Sequence, residues 1–217
     1  KAKKDLQKNF CIDIIKHERS DFFQRLSRSE MIPEPFGGGD LYQVGDCVVK
    51  ENTGLCRITD IVHLDGMDVD RNKKYYLLVP HSDDKMKIYV PVDSIASNLR
   101  KAIECNEAWS VIENITKIDT VHIENEKQRE QKYKEAIKSC DPEQWISIIK
   151  TMYFRKQKRN IQGKKNTAMD ERYFKLAEKY LYSELAYAIG KDESEMCQLI
   201  ADTIKKKDMK AEKSALI

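Results

Sequence analysis

Long apolar runs are missing from this sequence. None approaches the roughly 20 residues that a bilayer-spanning helix needs, and no signal-peptide apolar core is visible. The expectation is a soluble, cytoplasmic chain with no membrane partner. The six cysteines (Cys11, Cys47, Cys56, Cys105, Cys140, Cys197) are scattered without a CxxC pair, and the four histidines (His17, His63, His81, His122) are equally isolated. That leaves zinc and dithiol motifs unsupported and predicts reduced, inert thiols. There is no P-loop, GxGxxG, HExxH or GxSxG. Gly37-Gly38-Gly39 lacks both a preceding strand and a following Lys-Ser/Thr, so it is no phosphate cradle. Carboxylate pairs such as Glu193/Glu195 are ordinary for a solvated helix at this charge density. The chain reads as non-enzymatic, with no cofactor and no metal.

What is present is charge. Asp, Glu, Lys and Arg make up 35 % of 217 residues, against about 25 % in an average domain. Such a chain can bury two modest cores but not one large enzyme core. The net charge is only +3, so any nucleic-acid signal has to come from local clustering.

Residues 42 to 95 read as β. GDCVV, GLCRITDIV, KKYYLLVP and KMKIYVP are short runs parted by turn chemistry at Asn52-Thr53-Gly54, Asp65-Gly66 and Ser82-Asp83-Asp84. In the last run Met86, Ile88 and Val90 alternate with Lys85, Lys87 and Tyr89, the pattern of a sheet with one wet side. Pro91 closes that strand. Four or five strands in so few residues suit a small, strongly bent barrel rather than a sandwich.

From about residue 106 the period becomes helical. A polar helix over roughly 126–138 is anchored by Tyr133, Ala136 and Ile137. Asp141-Pro142-Glu143-Gln144 starts the next, with Asp141 as cap, Pro142 in the first turn and Gln144 placed to close a capping box. Trp145, Ile149, Met152 and Tyr153 form its apolar stripe, widened by Ile146 and Ile148. Another start at Thr167 leads the stripe Phe174, Ala177, Leu181, Leu185 and Ala188, ended by Gly190. A third begins over Asp192–Glu195 and carries Met196, Leu199, Ile200 and Ile204. Trp145 belongs to the core, and Trp109 to packing between the halves. The fold class is therefore α+β, a small Tudor/SH3-like β-barrel followed by an all-α helical bundle. The boundaries are an N-terminal extension over 1–40, a β-domain over 41–100, a helical domain over 101–207 and a frayed basic tail over 208–217.

Residues 1–40 match neither half. Asp13 to Leu26 can form an amphipathic helix, which Pro33 to Asp40 breaks, giving a helical extension and flexible linker. Codons offer a second reading. Gly38-Gly39-Asp40 can be written GGAGGTGAT, a ribosome-binding sequence, with Leu41 as a TTG start; the segment is then upstream sequence read in frame.

Basic residues cluster between Lys150 and Lys175: Lys150, Arg155, Lys156, Lys158, Arg159, Lys164, Lys165, Arg172 and Lys175, against Asp170 and Glu171 alone. Cations near a helix C-terminus also complement the macrodipole. These extend past what a dipole needs and surround a helix-loop-helix joint, which points to backbone phosphate contacts without base-specific reading.

In this order, V-G-D-x-V-V (Val44 to Val49), Gly54, K-Y-Y-L-L (Lys74 to Leu78), V-P-V-D (Val90 to Asp93) and S-E-L-A-x-A (Ser183 to Ala188) resemble the CarD/CdnL family of bacterial transcription regulators, over about residues 41 to 204. The first half alone also resembles the polymerase-interacting module of transcription-repair coupling factors, but no helicase motifs follow. The resemblance implies a Tudor-like domain that binds the RNA polymerase β subunit partly by strand pairing. It places that contact at His63, Leu64, Lys87, Ile88 and Tyr89; Leu64 and Tyr89 stand at positions where family members carry arginine, which implies a more apolar or differently centred contact. It also implies a helical half that touches promoter DNA and alters open-complex stability, in a protein expected to be a monomer.

The family's helical half carries a tryptophan that wedges into the minor groove. Its position falls near Asn125 or Glu126, where this sequence has no aromatic, so that mechanism is expected to be absent or altered. Arg129, Lys132 and Lys134 lie close by as phosphate or minor-groove contacts. Together with Arg155, Lys156, Lys158, Arg159, Lys164, Lys165 and Arg172 they make up the expected DNA-contacting set. Glu171 stands where other members can carry a basic residue. The alternative is an adaptor whose β-half binds polymerase while the helical half recruits protein instead of DNA.

Overall fold

A computed structural model describes residues 42–64, 72–93, 99–123 and 125–215, the stretch 206–215 by its backbone alone. The expected N-terminal helix and its Pro-Gly break, and the Asp65-Gly66 turn, lie outside the described residues. The fold is α+β: a curled antiparallel half-barrel followed by helices.

Five strands, β1 (Cys47–Lys50), β2 (Gly54–His63), β3 (Lys74–Pro80), β4 (Ile88–Pro91) and β5 (Leu99–Lys101), lie in the order β4-β3-β2-β1-β5. The V-G-D stretch makes a turn into β1. Gly45 takes φ +100°, and the Asp46 carboxylate accepts from the Gln43 amide at 2.8 Å. At the β1–β2 hairpin Asn52 takes φ 60° and Gly54 φ 85°, the left-handed values a tight reversal requires. A bulge between Ile58 and Asp60 bends β2.

The bend gives the sheet two inner environments. Val48, Cys56, Ile58, Tyr76, Leu78 and Val90 fill the concave side. Cys47, Val49 and Leu55 face the other way and belong to the large core of the helical half. The β1–β2 hairpin is thus buried on both faces. The alternation expected for Met86 to Val90 starts only at Ile88. Met86 and Lys87 precede the strand, in a turn held by Met86 N–H to the Asp83 carbonyl at 3.3 Å. Pro91 is the last residue of β4, and β5 adds a strand that its composition hides.

The helices are α1 (Cys105–Asn114), α2 (Arg129–Lys138), α3 (Pro142–Ile161), α4 (Ala168–Ile189) and α5 (Met196–Ala215), with single 3-10 turns at Ile115–Lys117, Glu126–Gln128 and Glu193–Glu195. Asp141 caps α3 by accepting from the Glu143 amide, and Thr167 caps α4 by accepting from the Asp170 amide. Gly190, at φ 69°, ends α4. Tyr173, rather than the expected Phe174, is the buried aromatic at the start of α4, and Tyr180 joins it. The helical backbone of α5 runs to Ala215, across the expected frayed tail, because Lys, Ala, Glu and Met are strong helix formers.

One core crosses from sheet to helices, and polar clamps reinforce it. Arg100 on β5 makes a bidentate pair with Glu184 on α4 at 2.7 and 2.8 Å, and also donates to the Cys140 carbonyl. Glu184 accepts the Ile103 amide as well, at 3.0 Å. Lys138 reaches Glu51 of the hairpin at 2.9 Å. Trp109 packs on the same large core, and these polar links and the close approach of Gly54 to Tyr180 add to it.

Candidate functional site

Two surfaces carry exposed chemistry, and the first is the β4 rim. In an antiparallel ladder, alternate residues turn their backbone groups toward the neighbour and away from it. Val92 N–H bonds the Lys74 carbonyl at 2.9 Å, and the register Tyr76↔Val90, Leu77↔Tyr89, Leu78↔Ile88 follows from it. Ile88 and Val90 therefore bond inward to β3, while the amide and carbonyl of Tyr89 and the carbonyl of Pro91 point outward. A proline costs no ladder bond there. Among the described residues nothing covers these outward groups.

On the opposite rim, β5, the outward carbonyls are taken by the chain itself, as is an amide just beyond the strand. Tyr42 Oη donates to the Leu99 carbonyl, Arg100 Nη1 to the Lys101 carbonyl, and the Ile103 amide to Glu184. Among the described residues, the outward groups of β4 have no such partners.

Beside that edge lies an apolar outer face. Tyr75, Leu77 and Val79 on β3 are half-buried, and Val62 and Pro91 flank them. None belongs to either core. Tyr89 is 45 % exposed and pairs with Leu77. The expected contact residues fall at two places. Lys87, Ile88 and Tyr89 sit at the rim, Ile88 facing the concave core. His63 ends β2 and Leu64 follows it, two strands in and three and four residues beyond Asp60, which aligns with Leu77 and Tyr89. The structure does not bring those two groups into one patch.

The second surface is the basic side of the helical half, where the structure divides the expected cations sharply. Lys150 is 2 % exposed, and its Nζ donates to the Thr116 and Ile118 carbonyls at 3.2 and 2.5 Å. It is a structural tie and leaves the positive cluster. Arg172 donates to Glu130 at 3.0 Å and lies over the Tyr173 ring, 4.9 Å from its centroid. Lys134 pairs with Glu130 at 3.5 Å and Lys132 with Glu135 at 3.4 Å, both at the surface.

Arg129 and Arg155 are held more firmly still. Arg155 grips Glu126 with two bonds at 2.7 and 3.1 Å, and Arg129 Nη1 bonds the same carboxylate. On the inner side each Nε faces one oxygen of Asp170 at 3.7 Å. The hydrogen bonds from Arg155, with the charge of both arginines, hold the Glu126 carboxyl below the usual carboxylate range. Beneath them burial pushes the Tyr133 hydroxyl up to about 12. Thus Asn125 and Glu126 form no apolar wedge. Asn125 caps the 3-10 turn, and Glu126 is the outer partner of two guanidinium groups.

The α3–α4 joint presents the rest. Lys156, Lys158, Lys164 and Lys165 are exposed. Arg159 Nε donates to the Lys165 carbonyl at 2.8 Å, the Lys164 amide to the Arg159 carbonyl at 2.9 Å, and Gly163 takes φ 68°. The joint is a shaped turn, with Ile161 86 % exposed at its tip. Composition reveals the cations but not their partners. Glu126, Glu130 and Asp170 lie at sequence distances that no helical spacing connects to Arg155 and Arg172.

No group of His, Cys, Asp and Glu among the described residues is arranged to hold a metal ion, and no described helix is long and apolar enough to cross a membrane. Comparison with family models matches residues 42–103 to the CarD-like/TRCF RID domain and residues 110–201 to the CarD C-terminal domain. No curated protein matches the chain.

Proposed function

Because the chain belongs to the CarD-like family of transcription-related, RNA polymerase-interacting proteins, we propose that its open β4 rim docks on the polymerase β subunit while its basic helical face lies on promoter DNA. The observation that carries the reading is the asymmetry of the sheet: on β5 the outward carbonyls, and the Ile103 amide beyond them, are taken by Tyr42, Arg100 and Glu184, whereas β4 offers the Tyr89 amide and carbonyl beside an apolar face. Strand addition takes its affinity from such main-chain groups and its specificity from alternate side chains. The apolar face of Tyr75, Leu77 and Tyr89 suits a partner strand carrying aliphatic side chains.

On the helical half Lys156, Lys158, Arg159, Lys164 and Lys165 are the leading phosphate contacts, with Lys132 and Lys134 at the periphery. They carry no base-reading pattern, so DNA is held by shape and charge. The factor shifts the closed-to-open balance by its differential affinity for the two states, and ~1.4 kcal/mol of difference is tenfold in occupancy. The acting species is a monomer that performs no catalysis.

Pull-down with purified polymerase tests the docking edge. Tyr89→Pro removes the outward amide without breaking a bond to β3, and recovery should fall at least tenfold; equal recovery removes β4 as the edge. The pairing of Arg129, Arg155 and Arg172 with carboxylates of the same chain favours one second reading, an adaptor whose helical half binds protein. Salt separates the two. Phosphate contacts make affinity for forked promoter DNA fall steeply with salt. No binding at low salt, with polymerase present, selects the adaptor.

A further inference from the structure

The Glu126 cluster is built as a receptor is built. Three guanidinium N–H groups, Arg155 Nη1 and Nη2 and Arg129 Nη1, converge on two carboxylate oxygens. Behind them Asp170, with its side chain 7 % exposed, faces both Nε atoms and accepts no hydrogen bond through either oxygen. Asp170 therefore orients the two arginines without consuming their outward donors. Glu126 itself is 65 % exposed. It rides on a single 3-10 turn, which can release it at little cost in packing.

A carboxylate with two oxygens is the nearest side-chain likeness of a phosphodiester, which also offers two anionic oxygens to a guanidinium fork. Charge narrows the class. Two arginines and Asp170 leave one positive charge when Glu126 is away. A single phosphodiester anion restores neutrality, whereas a dianionic phosphomonoester overshoots it. Arg155 also stands one helical turn from Arg159, so the site continues the exposed lysine joint.

We infer that Glu126 occupies, in the free protein, the seat of a nucleic-acid backbone phosphate, and that Arg129 and Arg155 form a latent phosphodiester clamp that Asp170 holds in register. Binding exchanges one anion for another at the same donors. The inference rests on the reading that the helical half meets DNA, and it adds a contact at a place where paired arginines argue against one.

The test uses the whole chain and a labelled forked DNA duplex, with affinity measured over a salt series. Glu126→Gln should bind about 5–10-fold more tightly, and its log–log salt slope should steepen by about 0.9, the increment for one further phosphate. Adding Arg155→Gln should erase both gains. Since that second change strips a partner from buried Asp170, the Arg129 and Arg155 side-chain N–H resonances of Glu126→Gln provide an independent readout, and both should shift on DNA addition. Unchanged affinity, a gain that survives Arg155→Gln, or arginine resonances that stay still would each overturn the clamp. Lys164→Gln/Lys165→Gln separates the two ideas. If it weakens binding while Glu126→Gln changes nothing, DNA contact stands and the clamp alone falls; if neither the unaltered chain nor Glu126→Gln binds at low salt, both fall.

Discussion

A methyl group at Gly54 would stand 2.7 Å from the Tyr180 ring, inside any real carbon contact, and the residue already has φ +85°. Tyr180 is buried and packs at a tilt against Trp145, with ring centroids 5.6 Å apart, so moving its ring disturbs the core. Gly54→Ala should cost about 2–4 kcal/mol, left-handed strain plus overpacking, read as a lower urea midpoint. A loss under about 1 kcal/mol would mean that the ring yields. The hairpin glycine was legible in the sequence as a turn residue; its service as the seat for an aromatic 126 positions away was not, because no periodicity links a turn to a helix that docks on it later. Lys150 shows the same gap. Its charge argued for solvent, and the backbone carbonyls of Thr116 and Ile118 that accept from its Nζ help explain its burial.

Elements differ in how openly the sequence shows them. The caps of α3 and α4 and the Tyr133, Ala136, Ile137 anchors of α2 follow from local rules. β5, three residues of Leu-Arg-Lys, has no β signature and exists because β1 needs a partner on its second side. The join of α2, α3 and α4 is electrostatic as well as apolar, and acid should reveal it. Glu126 is held below its ordinary value of 4.5 chiefly by hydrogen bonds from Arg155 of α3; Glu130 is lowered chiefly by the charge of Lys134 on its own helix, and its bond from Arg172 reaches α4. A carboxyl whose folded pKa is depressed stabilises the fold fully above the unfolded value, and the unfolded chain takes up the proton first as pH falls. Unfolding midpoints should therefore hold above pH 4.5 and drop below it, and Glu126→Gln should flatten that drop. A midpoint that rises on acidification would contradict the assignment.

At the scale of the molecule, the S-E-L-A-x-A stretch that marked the family resemblance proves to be the joint between the halves. Its Glu184 is almost wholly buried, and it holds Arg100 and the Ile103 amide. Glu184→Gln leaves a guanidinium without its counter-charge, and should lower stability by about 2–3 kcal/mol in chemical denaturation. A single transition should persist, because the large core spans sheet and helices. Two separate transitions would mean that the halves are independent bodies. If β4 docks as proposed, the shared core and the Arg100–Glu184 link tie the placement of the helical face to that docking.

Amide hydrogen exchange with and without purified RNA polymerase tests the central claim, that β4 is the edge offered to the partner. The account predicts slowed exchange in the Lys87–Tyr89 segment on complex formation, and no change at Leu99–Lys101, whose outward carbonyls already have partners in the same chain. A stable complex that leaves the Tyr89 amide as fast as before, or that protects β5 instead, would contradict it.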